Sequence, residues 1–151
     1  MMMRIGLAAM LFCCVLNPAH ANELQRVLLK EYHEALSHED ADTLTQLIAD
    51  DAQIQIILEQ DSEESLTLTL TRAEYIQQLR ALWRFSESQA YSQSDLRWLT
   101  ERDGFQVSLQ QHERYQLFGE TLEQKSRVRL GITTLNHTAY ITRIEARTPG
   151  W

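Results

Sequence analysis

The hydrophobic period changes near residue 52, and this change limits the fold more than any other feature of the sequence. Before it, apolar residues recur every three or four positions, over residues 22–37 and again around Leu44 and Leu47. That spacing is typical of amphipathic helices. After it, apolar and polar residues alternate, as they do in half-buried strands. The pattern predicts an α+β protein in which helices pack against one face of a sheet.

Turn and capping residues divide these two regions into elements. The acidic segment Glu39-Asp40-Ala41-Asp42 is expected to supply the N-cap of a second, short helix that carries Leu44, Leu47 and Ile48 and ends at Asp50-Asp51. Residues 52–59 and 66–70 predict two strands joined by an acidic loop. Thr71 and Glu74 form a capping box that opens a third helix, whose buried face is Ile76, Leu79, Leu82 and Trp83. The remaining chain predicts long strands over residues 89–102, 105–118, 121–135 and 138–147, with turns at Asp103-Gly104, Gly119-Glu120 and Asn136-His137.

The first 21 residues have the pattern of a cleaved secretory signal. Arg4 precedes an apolar run over residues 5–16, and Ala19-His20-Ala21 follows it. A bilayer span needs about 20 apolar residues, so this run is too short to be one. A lipoprotein signal is the alternative, but bulky Phe12 precedes Cys13 where lipidation needs a small residue. We expect cleavage after Ala21, a periplasmic or secreted product, and no membrane contact after cleavage.

Removal of this segment narrows the chemistry that the remaining chain can perform. Both cysteines and all four methionines lie within it, so residues 22–151 contain no thiol for a disulfide, a nucleophile or a cysteine zinc site. The segment holds one basic and no acidic residue, so the net charge changes from −7 to −8. An acidic protein has little attraction for a phosphate backbone, and nucleic acid is excluded as a partner. Residues 22–151 hold one proline and no linker, which predicts a single domain.

The hairpin around Gly119-Glu120 predicts which side chains share a face. With Leu117 opposite Leu122 and Leu109 opposite Leu130, the aliphatic residues of both strands lie on one side. Glu113 and Tyr115 lie on that side too, nearer the strand ends. A carboxylate on an apolar face is costly unless it is paired or wet, so Glu113 is the best candidate for a functional polar group. The alternative is that the strands outrun the helices there and that Glu113 is in solvent.

The opposite face of this hairpin is basic, in contrast with the acidic chain as a whole. Its charged residues are His112, Arg114, Lys125, Arg127 and Arg129. This basic stripe is expected to bind an acidic partner or to form a homodimer contact. The alternative is a solvated sheet face with cross-strand polar pairs.

The sequence resembles a known superfamily. The residues that carry the resemblance are an aromatic residue before a small residue and a leucine, an aspartate at a helix start, and an Ala-Asp-Asp-Ala run. The matching residues are Tyr32-His33-Glu34-Ala35-Leu36, Asp40, Leu44 and Leu47-Ile48-Ala49-Asp50-Asp51-Ala52, and the strand Ile141-Thr142-Arg143-Ile144-Glu145 resembles the superfamily's last strand. This pattern is similar to the nuclear transport factor 2-like superfamily, which includes ketosteroid isomerases, polyketide-cyclase-like proteins and scytalone dehydratase. The resemblance covers residues 22–151. Glu39 stands where the family usually has glycine.

The resemblance implies a cone in which three helices pack on the concave face of a curved sheet, in the cystatin-like arrangement. It also places the isomerase oxyanion tyrosine on Tyr32, the isomerase base on Ile56 and the second oxyanion acid near Gly131. Isoleucine and glycine cannot perform those roles, so the resemblance predicts no catalytic residue of that type. A gapless alignment to the family would also turn Arg127 and Arg129 into the pocket, the reverse of the hairpin prediction.

These observations lead to one principal functional prediction and two alternatives. The principal prediction is non-catalytic binding of a small, partly apolar ligand in a cone lined by Tyr32, Trp83, Trp98, Glu113 and Tyr115. One alternative is a lyase or isomerase with Glu113 as base and Tyr32 as electrophile. The other is an interaction module that uses the basic stripe.

No cofactor and no metal ion are predicted. His33 and His38 are five residues apart, and that spacing points them about 140° apart around a helix. The acidic residues Glu59, Asp61, Glu63 and Glu64 lack the spacing and the turn glycine of an EF-hand.

Overall fold

A computed structural model describes residues 18–60 and 64–149 of the chain. Its elements, in chain order, are α1 (Pro18–Ser37), α2 (Ala41–Leu47), β1 (Ile48–Glu59), β2 (Ser65–Leu70), α3 (Arg72–Phe85), β3 (Ser88–Glu101), β4 (Gly104–Leu117), β5 (Glu120–Leu135) and β6 (Thr138–Pro149). The predicted α+β class, with three helices in the N-terminal half, is confirmed. The predicted signal segment lies outside the described residues up to residue 17, and the predicted cleavage point after Ala21 falls in the first turn of α1.

The six strands form one mixed sheet in the order β2-β1-β6-β5-β4-β3. Only the β1–β6 pair is parallel; the other four neighbouring pairs are antiparallel. Register shifts occur in β1 between Ile48 and Gln53 and in β3 between Ser94 and Arg97, and Thr142 is an extra residue of β6 opposite Gly131 and Ile132. Irregularities of this kind bend a strand, and the sheet consequently curves around the helices.

Side-chain caps mark the starts of α2 and α3. Asp40 accepts a hydrogen bond from the Thr43 backbone N–H at 3.0 Å, which begins α2. Thr71 and Glu74 exchange side-chain and backbone hydrogen bonds of 3.2 and 2.8 Å, so the predicted capping box is confirmed. The expectation that Ile48 belongs to α2 is wrong. Ile48 is already extended, with φ −94° and ψ 128°, because it pairs with Ile141 of β6.

The β4–β5 turn corrects the predicted register of the hairpin by two residues. The loop consists of Phe118 and Gly119, both with positive φ (51° and 79°), which is the two-residue turn that matches strand twist. Leu117 therefore faces Glu120, and Leu109 faces Val128 rather than Leu130. A shift of two keeps every side chain on its predicted face, so the division into an apolar and a basic face stands.

The hydrophobic core lies between α1, α3 and the inner face of the sheet. Its most completely buried side chains are Tyr32, Leu36, Leu44, Ile48, Ile54, Val107, Leu130, Ile132, Ile141 and Ile144. They come from both helices and strands, so the core joins the helical half to the sheet. At the strand ends opposite the turns between β3 and β4 and between β5 and β6, this packing gives way to a cavity.

Candidate functional site

The cavity has a volume of about 400 Å³ and lies between the helices and the inner face of the sheet. Helices α1 and α3 contribute Tyr32, Tyr75, Gln78, Leu79, Ala81 and Leu82; the strands contribute Ile56, Leu58, Gln111, Glu113, Tyr115, Gln124, Ser126, Val128, Ile144, Ala146 and Thr148. Eight of these 17 side chains are aliphatic. Of the other nine, three lie together on β4, two are the helical tyrosines, and the rest are spread over α3, β5 and β6: Gln78, Gln124, Ser126 and Thr148.

Among the described residues that line the cavity, Glu113 is the only carboxylate, and its neighbours on β4 hold it in place. Gln111 Nε2 donates to one carboxylate oxygen at 2.5 Å, and the Tyr115 hydroxyl donates to the other. All three side chains point to the same face because they are two residues apart on one strand. A carboxylate oxygen can accept more than one hydrogen bond, so Glu113 keeps acceptor capacity for a ligand.

Two buried tyrosine hydroxyls form a second polar group in the cavity wall. Tyr32 of α1 and Tyr75 of α3 are 2.8 Å apart at their hydroxyl oxygens. Burial raises the pKa of both hydroxyls well above the ordinary value, and the negative charge of Glu113 raises it further. Both therefore stay protonated at neutral pH. One donates to the other, which leaves one proton for a ligand acceptor.

Tyr115, which donates to Glu113, packs against another tyrosine, Tyr91. Burial, followed by the charge of Glu113, raises the pKa of Tyr115, so Tyr115 remains a hydrogen-bond donor. The Tyr91 ring meets the Tyr115 ring edge-on, with centroids 6.2 Å apart and an interplanar angle of 88°. Tyr91 accepts a hydrogen bond from Trp83 Nε1 at 3.1 Å and donates to Gln89 at 3.2 Å. Burial raises the pKa of Tyr91 to about 12.

The structure places three of the five predicted ligand-binding residues in the cavity. Tyr32, Glu113 and Tyr115 line it together. The prediction that Trp83 and Trp98 line it is wrong: Trp83 is buried in the core against Tyr91, and Trp98 lines a separate groove with Arg26 and His33 of α1. Trp98 follows the irregular segment of β3, which sets its position beside α1.

Sequence reasoning missed Tyr75 and the polar inner residues of β5 and β6. Tyr75, Leu79 and Leu82 are spaced i, i+4 and i+7, so the helical stripe already identified on α3 could have included Tyr75. Ser126 and Thr148 form a buried hydrogen bond of 2.9 Å in the cavity wall. These residues lie on the neighbouring strands β5 and β6, and the register shift between Gly131 and Ile132 moves the partner of Ser126 from Arg147 to Thr148. The local sequence does not indicate that shift.

The basic stripe lies on the outer face of the sheet, away from the cavity. Arg127 and Arg129 are exposed there, so the gapless family alignment that turns them into the pocket is wrong. Glu123 pairs with Arg114 at 3.4 Å and lies 3.6 Å from His112, and Glu59 pairs with Arg127 at 3.6 Å. Arg97 and Arg147 join Arg127 and Arg129 in an outer groove of about 640 Å³.

In the part of the chain that the structure describes, no group of three or more His, Cys, Asp or Glu side chains comes together in a way that could hold a metal ion. None of the helices in residues 18–60 and 64–149 combines the length and the apolar character that a membrane crossing requires.

Comparison with known proteins identifies the fold through solved structures alone. No protein-family model and no curated protein matches the sequence. An NTF2-like protein from Cytophaga hutchinsonii superimposes with a TM-score of 0.65 at 16% identity, over 84% of this chain and 97% of that one. An NTF2-like protein with a cystatin-like fold from Novosphingobium aromaticivorans gives 0.65 at 16% identity, over 88% and 84%. A type 2 hexachlorocyclohexane dehydrochlorinase (LinA) gives 0.69 at 9% identity, over 88% of each chain.

These similarities extend over most of both chains, and they agree with three helices packed on a curved mixed sheet. Identities of 9–16% carry the fold and no particular chemistry. The chain therefore has the nuclear transport factor 2-like, cystatin-like fold.

Proposed function

We propose that the cavity binds a small, partly apolar molecule through a hydrogen bond to Glu113. The observation that carries this proposal is the position of Glu113, a half-buried carboxylate held by Gln111 and Tyr115 in a wall that also contains eight aliphatic side chains. A carboxylate is expensive to keep at such a site unless its remaining acceptor capacity is used by water or a ligand. The cavity volume of about 400 Å³ is within the range of small-molecule sites.

The ligand should combine an apolar body with a hydroxyl or N–H donor. The apolar part would contact Ile56, Leu58 and Leu79 on one side of the cavity. The donor would reach Glu113, and a carbonyl or ether oxygen could accept the proton offered by the Tyr32–Tyr75 pair.

A panel of small alcohols, phenols and cyclic ketones, screened by ligand-observed NMR, would test this proposal. For compounds that bind, Glu113→Gln should weaken affinity about 10- to 100-fold, because a hydrogen bond to a charged group is worth ~1.5–3 kcal/mol. Glu123→Gln, a matched change on the outer face, should leave affinity unchanged. Equal affinity in wild type and Glu113→Gln, or no binding by any compound, would contradict the proposal.

A lyase or isomerase activity is the second candidate, favoured by one further observation. The same cavity holds a carboxylate that could accept a proton from carbon and a tyrosine pair that could donate to a developing oxyanion. The dehydrochlorinase among the solved structures shares the fold. Incubation with β-hydroxy and β-halo carbonyl compounds should release water or halide if this candidate is correct. Loss of turnover in Glu113→Gln and in Tyr32→Phe at saturating substrate would separate catalysis from binding alone.

We also propose that the outer groove binds an acidic partner. Arg97 and Arg129 line it, and no carboxylate within the described ranges lies within ion-pair distance of either. On a two-fold axis this face would oppose arginine with arginine, so its charge suits an acidic partner better than a second copy. Arg127→Glu with Arg129→Glu should abolish capture of such a partner, and unchanged capture would contradict this proposal.

Export remains a proposal supported by the sequence of residues 1–21. Expression with the native N-terminus should give a periplasmic product that begins at Asn22, measured by N-terminal sequencing after fractionation. A product that keeps Met1 in the cytoplasm would contradict it.

A further inference from the structure

The two edge strands of the sheet, β2 and β3, are protected very differently. β3 carries Asp95, Arg97 and Glu101, and its regular pairing is interrupted between Ser94 and Arg97, where Asp95 adopts φ 54°. Charges and bulges are the usual means by which an edge strand avoids pairing with another chain. β2, with the sequence Ser-Leu-Thr-Leu-Thr-Leu, has no charged residue and no proline, and its pairing with β1 is regular from Ser65 to Leu70.

β2 also leaves apolar side chains uncovered. Leu66 is 48% exposed and Leu68 is 38% exposed. They pair with Leu58 and Ile56 of β1, so they lie on the inner face beside the cavity wall. Within the described residues, the outer edge of β2 meets no other strand. Its backbone N–H and C=O groups on that side are therefore available for a new ladder.

We propose that β2 pairs antiparallel with β2 of a second copy of this chain, which joins the two sheets edge to edge. The strand is self-complementary in this arrangement. A two-fold axis at Leu68 places Leu68 opposite its own counterpart, Leu66 opposite Leu70, and Thr67 opposite Thr69. Leucine thus meets leucine on the inner face and threonine meets threonine on the outer face, and both are favourable cross-strand pairs.

This pairing would extend the apolar wall of each cavity. The second copy's Leu66 and Leu68 would continue the row formed by Ile56, Leu58 and the chain's own leucines on the inner face. The exposed leucines would then contact one another instead of water.

A second copy suits this edge better than a charged partner because β2 offers hydrogen bonds and leucines but no charge. A six-residue edge buries less than the ~1,200 Å² of a standard interface, so the dimer should be weak and concentration-dependent. Each copy carries a net charge of −7, and salt should strengthen association by screening their repulsion. An acidic partner on the arginine-lined groove would respond to salt in the opposite direction.

Sedimentation equilibrium of the wild-type protein, from about 10 to 500 µM, tests the proposal. We expect a monomer–dimer equilibrium that shifts toward dimer with added salt. Thr67→Lys should weaken dimerisation at least tenfold, because the two lysines lie diagonally across the axis. Thr67→Glu should do the same, and a mixture of the two variants should restore association. Thr100→Lys on β3 is the matched control and should have no effect.

An engineered disulfide tests where the two-fold axis of this dimer lies. In a Cys13→Ser, Cys14→Ser background, Leu68→Cys should form an intermolecular disulfide on oxidation, because directly opposed residues come within disulfide distance. Leu66→Cys should not. A monomer at every concentration would overturn the proposal. A dimer whose affinity Thr67→Lys leaves unchanged would also overturn it, in particular if the double variant Arg127→Glu, Arg129→Glu dissociates that dimer.

Discussion

The inner and outer faces of the same sheet have opposite chemistry, and strand β5 shows this residue by residue. Val128 and Leu130 point inward and are 3% and 0% exposed, whereas their neighbours Arg127 and Arg129 are exposed in the outer groove. Strand geometry alone separates them, since successive side chains point to opposite faces. One alternating sequence thereby builds a core and a cavity on one side and a charged surface on the other.

The comparison also shows where polar groups are tolerated on the inner face. Along β4 the inward residues change from Val107 and Leu109 to Gln111, Glu113 and Tyr115. The first two are covered by the helical core, and the last three line the cavity. On β4 the inner face is apolar beneath the helical core and polar beside the cavity, so the change from Leu109 to Gln111 marks where the candidate site begins on this strand.

The largest difference between the faces should appear when adjacent residues of β5 are truncated. Leu130→Ala should lower the free energy of unfolding by about 3–5 kcal/mol, because it opens a cavity in the packed core. Arg129→Ala, one residue away, should change it by less than about 0.5 kcal/mol. Urea denaturation followed by circular dichroism measures both. Similar losses for the two variants would contradict the assignment of faces.

Alkaline pH should destabilise the protein through its inner-face tyrosines. Burial raises the pKa of Tyr91 from 10.0 to about 12 in the folded protein. The folded state thus binds this proton more tightly than the unfolded state does. The associated stability is fully present below pH 10 and is lost as the pH rises through about 12. Its loss should be about 2–3 kcal/mol for this group.

Tyr91→Phe isolates this contribution. The variant should lose less stability than wild type between pH 9 and pH 12, whatever its stability at pH 7, where Trp83 Nε1 has lost its acceptor. Urea midpoints across this pH range provide the measurement. Parallel pH curves for the two proteins would exclude Tyr91 as a source of the alkaline loss.

A smaller effect is expected from the buried hydroxyl pair in the cavity wall. Thr148→Val removes one partner of the 2.9 Å hydrogen bond and leaves Ser126 unpaired, so it should cost about 1–2 kcal/mol. Thr121→Val, at an exposed position on β5, should cost less than about 0.5 kcal/mol. A neutral Thr148→Val would indicate that water replaces the lost partner.

The smallest effect should come from the outer face. Arg114 and Glu123 form an ion pair whose side chains are 62% and 51% exposed. Exposed pairs contribute little, so Glu123→Gln should change the free energy of unfolding by less than about 0.5 kcal/mol, and less still in 0.5 M salt. A larger loss would require this pair to have a structural role that its exposure does not indicate.

Sequence periodicity predicted the fold because both kinds of element repeat a pattern over many residues. It located α3 through Thr71 and Glu74, assigned both faces of the β4–β5 hairpin, and selected Glu113 as the polar residue of interest. The register of the β4–β5 hairpin was harder to predict. Phe118 adopts a left-handed backbone conformation that favours glycine, and this conformation makes the loop two residues long. Trp83 and Trp98 show a related difficulty. Their burial follows from the local pattern, but Trp83 packs against Tyr91 of β3 and Trp98 lies beside α1, and both placements depend on how β3 bends.

The parallel pairing of β1 with β6 also has a kinetic consequence. Ile54 and Ile144, which pair across these strands, are both fully or almost fully buried, although ninety residues separate them in the chain. Closing so long a loop is entropically costly, and contacts of high sequence separation form slowly. The β1–β2 and β3–β4–β5 hairpins can form from local contacts. The cavity wall, which needs Ile56 beside Ala146, closes only after the final described strand has joined the two halves.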